Sequence, residues 1–213
     1  MRAVIFDLWD TLALWPSEGF EEVKRALAPH ISEDVWNTTY DRRQRGPLDV
    51  YFRSLGLDDD AIAKCLRLRS DFTRNALVPR DGAIETLDEL ERRGFKRGLI
   101  SVCSSDVEEH WDETAFAGHL DDVVLSCAVG LSKPDPRIYR LACERLDVRP
   151  DECMFVGDGA NDELAGAQRV GMQAVCVLPP GRDEPLWREA RGWEPTITSL
   201  EDVLNLAQGP GPA

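Results

Sequence analysis

The opening segment Val4-Ile5-Phe6-Asp7 constrains the fold more than any other stretch of the chain. Three consecutive apolar residues, two of them β-branched, describe a strand covered on both faces, and an acid ends it. The pattern returns at Cys153-Met154-Phe155-Val156-Gly157-Asp158. Strands buried on both faces need helices above and below them, which means a parallel sheet. In such a sheet ligands bind beyond the carboxyl ends of the strands. Two carboxylates delivered there by two strands are therefore expected to converge on one site, with the Thr11 hydroxyl close by.

The rest of the chain supplies the alternation that a parallel sheet requires. A helix from Asp81 to Arg93, ended by Gly94, leads to a strand at Arg97–Ser101. A helix near Val107–Phe116, a strand at Asp122–Ser126 and a helix from Pro136 to Leu146 follow. After Cys153–Val156 come a helix from Asp162 to Val170 and a strand at Ala174–Leu178. A weak strand near Thr196 and a helix from Leu200 to Leu206 finish the chain. Such alternation implies right-handed crossovers. The Gly209-Pro210-Gly211-Pro212 tail reads as frayed, and Trp187 and Trp193 are expected to pack a C-terminal loop onto the core.

Between Leu12 and Val78 the alternation stops and the sequence becomes helical. Ser17 can cap a helix through Leu27, Ser32 one through Val35, Trp36 and Tyr40, and a short helix spans Leu48 to Leu55. Asp58-Asp59-Asp60 opens a longer helix, its acids placed at the positive end of the helix dipole. The expected organisation is an α/β core of residues 1–14 and 79–213 and a helical unit of residues 15–78, with hinges near 13–17 and 77–81.

Charge narrows the partners. The 25 basic against 39 acidic residues give a net charge of −14, which argues against nucleic acid or an anionic membrane. An anionic substrate must then be met locally by Lys, Arg or metal. No apolar run approaches a membrane span, and the N-terminus opens on a strand, so a cytoplasmic monomer or homodimer is expected. Six scattered cysteines without a Cys-x-x-Cys pair read as buried free thiols.

Four segments in order, Asp7-Leu8-Trp9-Asp10-Thr11, Leu99-Ile100-Ser101, Ser132-Lys133-Pro134-Asp135-Pro136 and Val156-Gly157-Asp158-Gly159-Ala160-Asn161-Asp162 with Gly166-Ala167 behind it, resemble the haloacid dehalogenase superfamily over roughly residues 1–180. The resemblance implies a three-layer Rossmann-like core with an inserted helical cap. It implies a nucleophilic Asp7 and Mg²⁺ held by the Asp7 and Asp158 side chains and the main-chain carbonyl of Trp9. It also implies a Ser101 hydroxyl that holds a phosphate oxygen. Lys133, held extended by Pro134, would neutralise charge on a transferring phosphoryl group. Asp162, one helical turn after Asp158, is expected to steady the metal's water shell or Lys133; the plain alternative is a helix cap. Ser101 to Ser105 can equally be turn and N-cap residues. Arg42, Arg43 and Arg45 cluster before Gly46-Pro47. Arg42 and Arg45 are candidates for reaching the substrate, or the three are simply a solvated helix face.

One position departs from the family's pattern. Trp9 stands where its phosphatases carry the Asp that protonates the leaving group, a contribution of roughly 10²–10⁴-fold. Three readings follow: a phosphohydrolase of substrates with good leaving groups, helped by Asp10; carbon–halogen hydrolysis, whose halide leaves without a proton; or a weakened phospho-ligand-binding protein. Asp158 with Asp162 is the metal-binding form of the last motif and favours the Mg²⁺-dependent phosphatase.

Overall fold

A computed structural model describes residues 1–207; the Gly209–Pro212 tail lies outside the described residues. Six parallel strands form one sheet in the order β3-β2-β1-β4-β5-β6, with β1 (Ala3–Phe6), β2 (Lys96–Ser101), β3 (Asp122–Leu125), β4 (Cys153–Gly157), β5 (Gln173–Val177) and β6 (Thr196–Ile197). Val4 and Phe6 face one apolar layer with Leu87, Leu90 and Val203, while Ala3 and Ile5 face the other with Ile138, Tyr139 and Ala167. This is the Rossmann-like three-layer arrangement expected from strands without a polar face. All six cysteines are buried and free.

The strand order reverses at β1. From it the chain moves outward through β2 and β3, then returns to β4 on the opposite side. The register pairs Phe6 with Val156, and the Asp7 amide donates to the Val156 carbonyl at 2.8 Å. Asp7 and Asp158 thus emerge together at the switch point, where the two halves of a doubly wound sheet part to leave a crevice.

Five helices lie between β1 and the helix α6 (Ala83–Arg92): α1 (Ser17–Leu27), α2 (Glu33–Thr38), α3 (Tyr40–Arg43), α4 (Leu48–Ser54) and α5 (Asp59–Ala76). They bury an apolar cluster of their own around Leu27, Trp36, Leu48, Phe52 and Cys65. Asp58 and Ser32 cap their helices through Ala61 N–H (2.9 Å) and Val35 N–H (3.3 Å). Ser17 lies inside the first turn of α1, with Pro16 in the cap position. The helix expected from Ser32 through Tyr40 breaks at Thr39, whose hydroxyl bonds back to the Val35 carbonyl at 2.5 Å. Side-chain competition of this kind weakens a helix interior. The entering and leaving strands of this insert run side by side: Ala13 bridges Pro79, and the Arg80 amide donates to the Leu12 carbonyl at 2.8 Å.

On the core side, β2 leads into α7 (Ser105–His110), shorter than the expected 107–116 because residues 111–113 tighten into a 3₁₀ turn. The remaining helices are α8 (Ser126–Val129), α9 (Pro136–Arg145), α10 (Glu163–Val170) and α11 (Val203–Leu206). The insert meets α7 through buried polar contacts: Arg69 with Asp106 at 2.8 Å, Thr73 Oγ1 donating to Asp106 at 2.6 Å, and Ser70 against His110 at 2.7 Å. Among the described residues no helix is long and apolar enough to cross a membrane.

Candidate active site

Beyond the carboxyl ends of β1 and β4, three carboxylates share one buried space. Asp7, Asp158 and Glu163 each offer an oxygen within 4.8 Å of the others. The Lys133 ammonium reaches them from the loop before α9 and donates to Asp7 Oδ1 and Glu163 Oε2. Burial pulls the pKa of that ammonium down, but the two carboxylates outweigh it and hold it above the usual lysine range. Asp135 fixes the approach by accepting the Arg137 amide at 2.9 Å, with Pro136 at the start of α9.

Glu163 occupies the place expected for Asp162. Asn161 and Asp162 both adopt left-handed backbone, φ +54° and +55°, so the chain after Asp158 is not helical and α10 starts only at Glu163. Asp162 is turned to solvent while Glu163 is fully buried. Its Oε1 accepts the Gly159 amide at 3.0 Å. A Cβ at position 157 would come within 2.1 Å of that oxygen, so only glycine lets Glu163 tuck beneath the strand. The helical period carried the signal: Gly166 and Ala167, both buried, lie three and four residues after Glu163.

Asp158 is 3% exposed. Its Oδ1 accepts the Ala160 amide at 3.1 Å, and its Oδ2 accepts the Trp187 indole N–H at 2.5 Å. Burial, and next the charge of Asp7, push its carboxyl up to about 6. Trp187 was expected only to pack a loop, yet it reaches the site from the long connection between β5 and β6. No local pattern announces a contact 29 residues away in sequence. Trp193 does pack the loop, donating its indole N–H to the Ala174 carbonyl at 3.1 Å.

Ser101 and Thr11 lie behind the cavity wall. Both are fully buried, Ser101 at the carboxyl end of β2 and Thr11 in the turn after β1, and neither hydroxyl has a hydrogen-bond partner among the described residues. Asp10 takes left-handed backbone, φ +55°; its Oδ1 accepts the Trp15 amide at 3.0 Å, and burial pushes its carboxyl up. Arg42 and Arg45 do not line the cavity. Arg42 donates to Ser54 Oγ at 2.7 Å and Arg45 faces Asp41 at 3.9 Å, both toward solvent. The break at Thr39 turns the neighbouring Arg43 inward instead, where its guanidinium stacks 3.9 Å over the Trp36 ring and bonds the Trp36 carbonyl.

These groups line a cavity of about 440 Å³ between insert and core, together with Trp9, Trp15, Phe20, Trp36 and Trp187. One ammonium stands among three buried carboxyl groups, and burial pushes both Glu163 and Asp158 up toward their neutral forms. Hard oxygen donors in that arrangement suit a small divalent cation, which would relieve the repulsion that raises Asp158.

The folded carboxyl of Asp158 titrates near 6 against an ordinary 3.8. Its contribution to stability is therefore fully present below about pH 4 and lost as pH rises through 6. In chelator, Asp158→Asn should gain in melting temperature relative to the unaltered protein between pH 5 and pH 7.5. A pH-independent difference in paired thermal melts would contradict this.

Comparison with known proteins agrees with the arrangement. Residues 1–171 match the family model of haloacid dehalogenase-like hydrolases. The chain is 29% identical over 199 residues to glyceraldehyde 3-phosphate phosphatase of Methanopyrus kandleri, covering 83% of this chain and 84% of that one. It is 32% identical to (S)-2-haloacid dehalogenase 4A of Burkholderia cepacia, with 85% and 84% covered. The structure of a phosphatase from Thermococcus onnurineus superposes with a TM-score of 0.69 at 24% identity, covering 97% of each chain, and so shares the fold.

Proposed function

The chain belongs to the haloacid dehalogenase-like hydrolases, and from that membership we propose that it is a Mg²⁺-dependent phosphatase of a small phosphorylated metabolite, working through an aspartyl-phosphate at Asp7. The observation that carries this reading is the crowding of three buried carboxyl groups, Asp7, Asp158 and Glu163, around one ammonium, where a cation would let them ionise together. A carbon–halogen hydrolase needs no cation there, because both its nucleophile and its leaving halide work without one.

Asp7 Oδ2 attacks phosphorus while Lys133 holds Oδ1 and keeps the carboxylate aimed. Glu163 positions Lys133 and touches no reacting atom. The unpartnered hydroxyls of Ser101 and Thr11 are the groups that an incoming phosphate oxygen would satisfy after a small shift of the wall. Asp7, Asp158 and the Trp9 carbonyl would hold Mg²⁺, which when bound offsets charge on the transferring group. Water then opens the acyl-phosphate at phosphorus and frees Asp7. The insert of residues 15–78 acts in this reading as a cap that excludes bulk water, in a cytoplasmic protein.

Trp9 favours a second reading, hydrolysis of a 2-haloacid, since it takes the position of the acid that would protonate a leaving alcohol. A panel of phosphate esters and haloacids, assayed with Mg²⁺ and with chelator, separates the two. Phosphate release is expected only with Mg²⁺; halide release that persists in chelator would overturn the phosphatase reading.

A further inference from the structure

Resting on that phosphatase reading, we propose that the ester cleaved carries a flat, conjugated leaving group, a phenol or an enol, and that Trp9 is the shelf on which its plane lies. In the phosphatase reading position 9 would face the leaving oxygen, and the indole there meets Trp15 edge-on at 4.8 Å between centroids. Trp15 in turn meets Phe20 at 4.8 Å and Phe72 at 5.4 Å, so the aromatic wall runs unbroken from the reaction centre into the insert. Trp36 and Trp187 also line the cavity, which gathers four of the chain's six tryptophans. Rings that meet edge-on leave faces and edges to which a further flat ring adds favourably.

Charge points the same way. Three of the four cations on the cavity wall are paired with acids, Lys24 with Glu21 at 2.6 Å, Arg69 with Asp106 at 2.8 Å, and Lys133 with Asp7 and Glu163, while Arg43 bonds the Trp36 carbonyl. Arg43 alone lacks an acid partner, so the wall offers little positive charge beyond what would hold the phosphoryl. Arg69 keeps Nε and Nη1 buried without partners, which suits a neutral acceptor on the part of the substrate beyond the phosphoryl.

The chemistry closes the argument. The Asp7 oxygen forms its bond to phosphorus as the P–O bond to the leaving group breaks, and the electron pair departs with that oxygen. Water attacks the acyl-phosphate, releasing phosphate, and its proton goes to the departed oxyanion. A phenol with a pKa near 10, like that of tyrosine, leaves without a donor far more readily than an alkyl alcohol, whose pKa lies near the ~15.7 of water. No donor at position 9 is then needed. Asp10 lines the cavity with its Oδ1 engaged by the Trp15 amide, and Thr11 and Ser101 lie off the wall. Tyr40 is the one hydroxyl side chain besides Ser104 on the cavity wall.

The test uses the Mg²⁺-loaded protein with aryl and alkyl phosphates, and phenylphosphonate and methylphosphonate as inhibitors. Phenyl phosphate is expected to exceed methyl phosphate in kcat/KM by at least about 100-fold, the range of a missing general acid. Trp9→Asp should raise the alkyl rate and collapse that ratio. Phenylphosphonate should inhibit at least tenfold more tightly than methylphosphonate, and Trp15→Ala should erase the preference. The inhibition arm reads the shelf in the unaltered protein, whatever the folding of the variants. Equal inhibition by the two phosphonates overturns the proposal. So does a rate independent of leaving group, which would place a donor in the site; Tyr40→Phe would then restore the dependence. Phosphate released equally from both ester classes defeats this inference alone, whereas no phosphate from any ester defeats the phosphatase reading beneath it.

Discussion

Replacing Asp7 by Asn is expected to lower turnover by at least about 10³-fold while leaving the protein folded and able to bind substrate analogues. An amide cannot form the acyl-phosphate, and no neighbouring group takes over: Lys133 holds both Glu163 and Asp7, and Asp158 is held by the Ala160 amide and the Trp187 indole. The amide oxygen can still accept from Lys133, so the cluster keeps its shape. Losing one negative charge also removes the second cause of the raised Asp158 carboxyl, after burial. The melting temperature in chelator should therefore hold or rise. Steady-state turnover beside a thermal melt checks both halves. A variant with more than a tenth of the original rate would show that Asp7 is not the nucleophile.

Lys133→Met carries the largest effect on stability. It leaves Asp7 and Glu163 buried without their shared cation, beside Asp158. Removing one partner of a buried ion pair costs about 3–5 kcal/mol. At roughly 2–4 °C per kcal/mol for a chain of this size, the melting temperature should fall by about 6–20 °C. Two rescues identify the cause as charge. Lowering the pH protonates the stranded carboxylates, so the deficit should shrink toward pH 5. Adding Glu163→Gln removes one surplus charge and should recover part of the loss. A melting temperature unchanged from the parent would mean that the three carboxylates do not repel one another in the folded protein.

The parts of the molecule legible in its sequence are those where local pattern and tertiary role coincide. Val4 to Phe6 and Cys153 to Val156 could only be central strands, and each ends in an acid, so the switch-point site followed. Asp58 and Ser32 announced their helices because capping is a local matter. What escaped was decided at a distance or by backbone conformation. Two consecutive left-handed residues moved the inward-facing acid from Asp162 to Glu163. A threonine bonding back to its own helix broke the Ser32–Tyr40 segment and exchanged Arg43 for Arg42 and Arg45 at the cavity. Trp187 reached Asp158 along a loop that carries no period at all.

The side-by-side passage of the chain at Ala13 and Pro79 gives the insert a single narrow stem. Antiparallel neighbours lie only about 5 Å apart, within reach of a two-residue hairpin turn. Excising residues 14–78 and grafting such a turn in their place would leave every rung of the parallel ladder intact. Asp7 would then stand at the bottom of an open dish, stripped of its aromatic roof. The same excision would leave Asp106 and His110 of α7 without Arg69, Thr73 and Ser70, so the stem is narrow but not the insert's whole attachment.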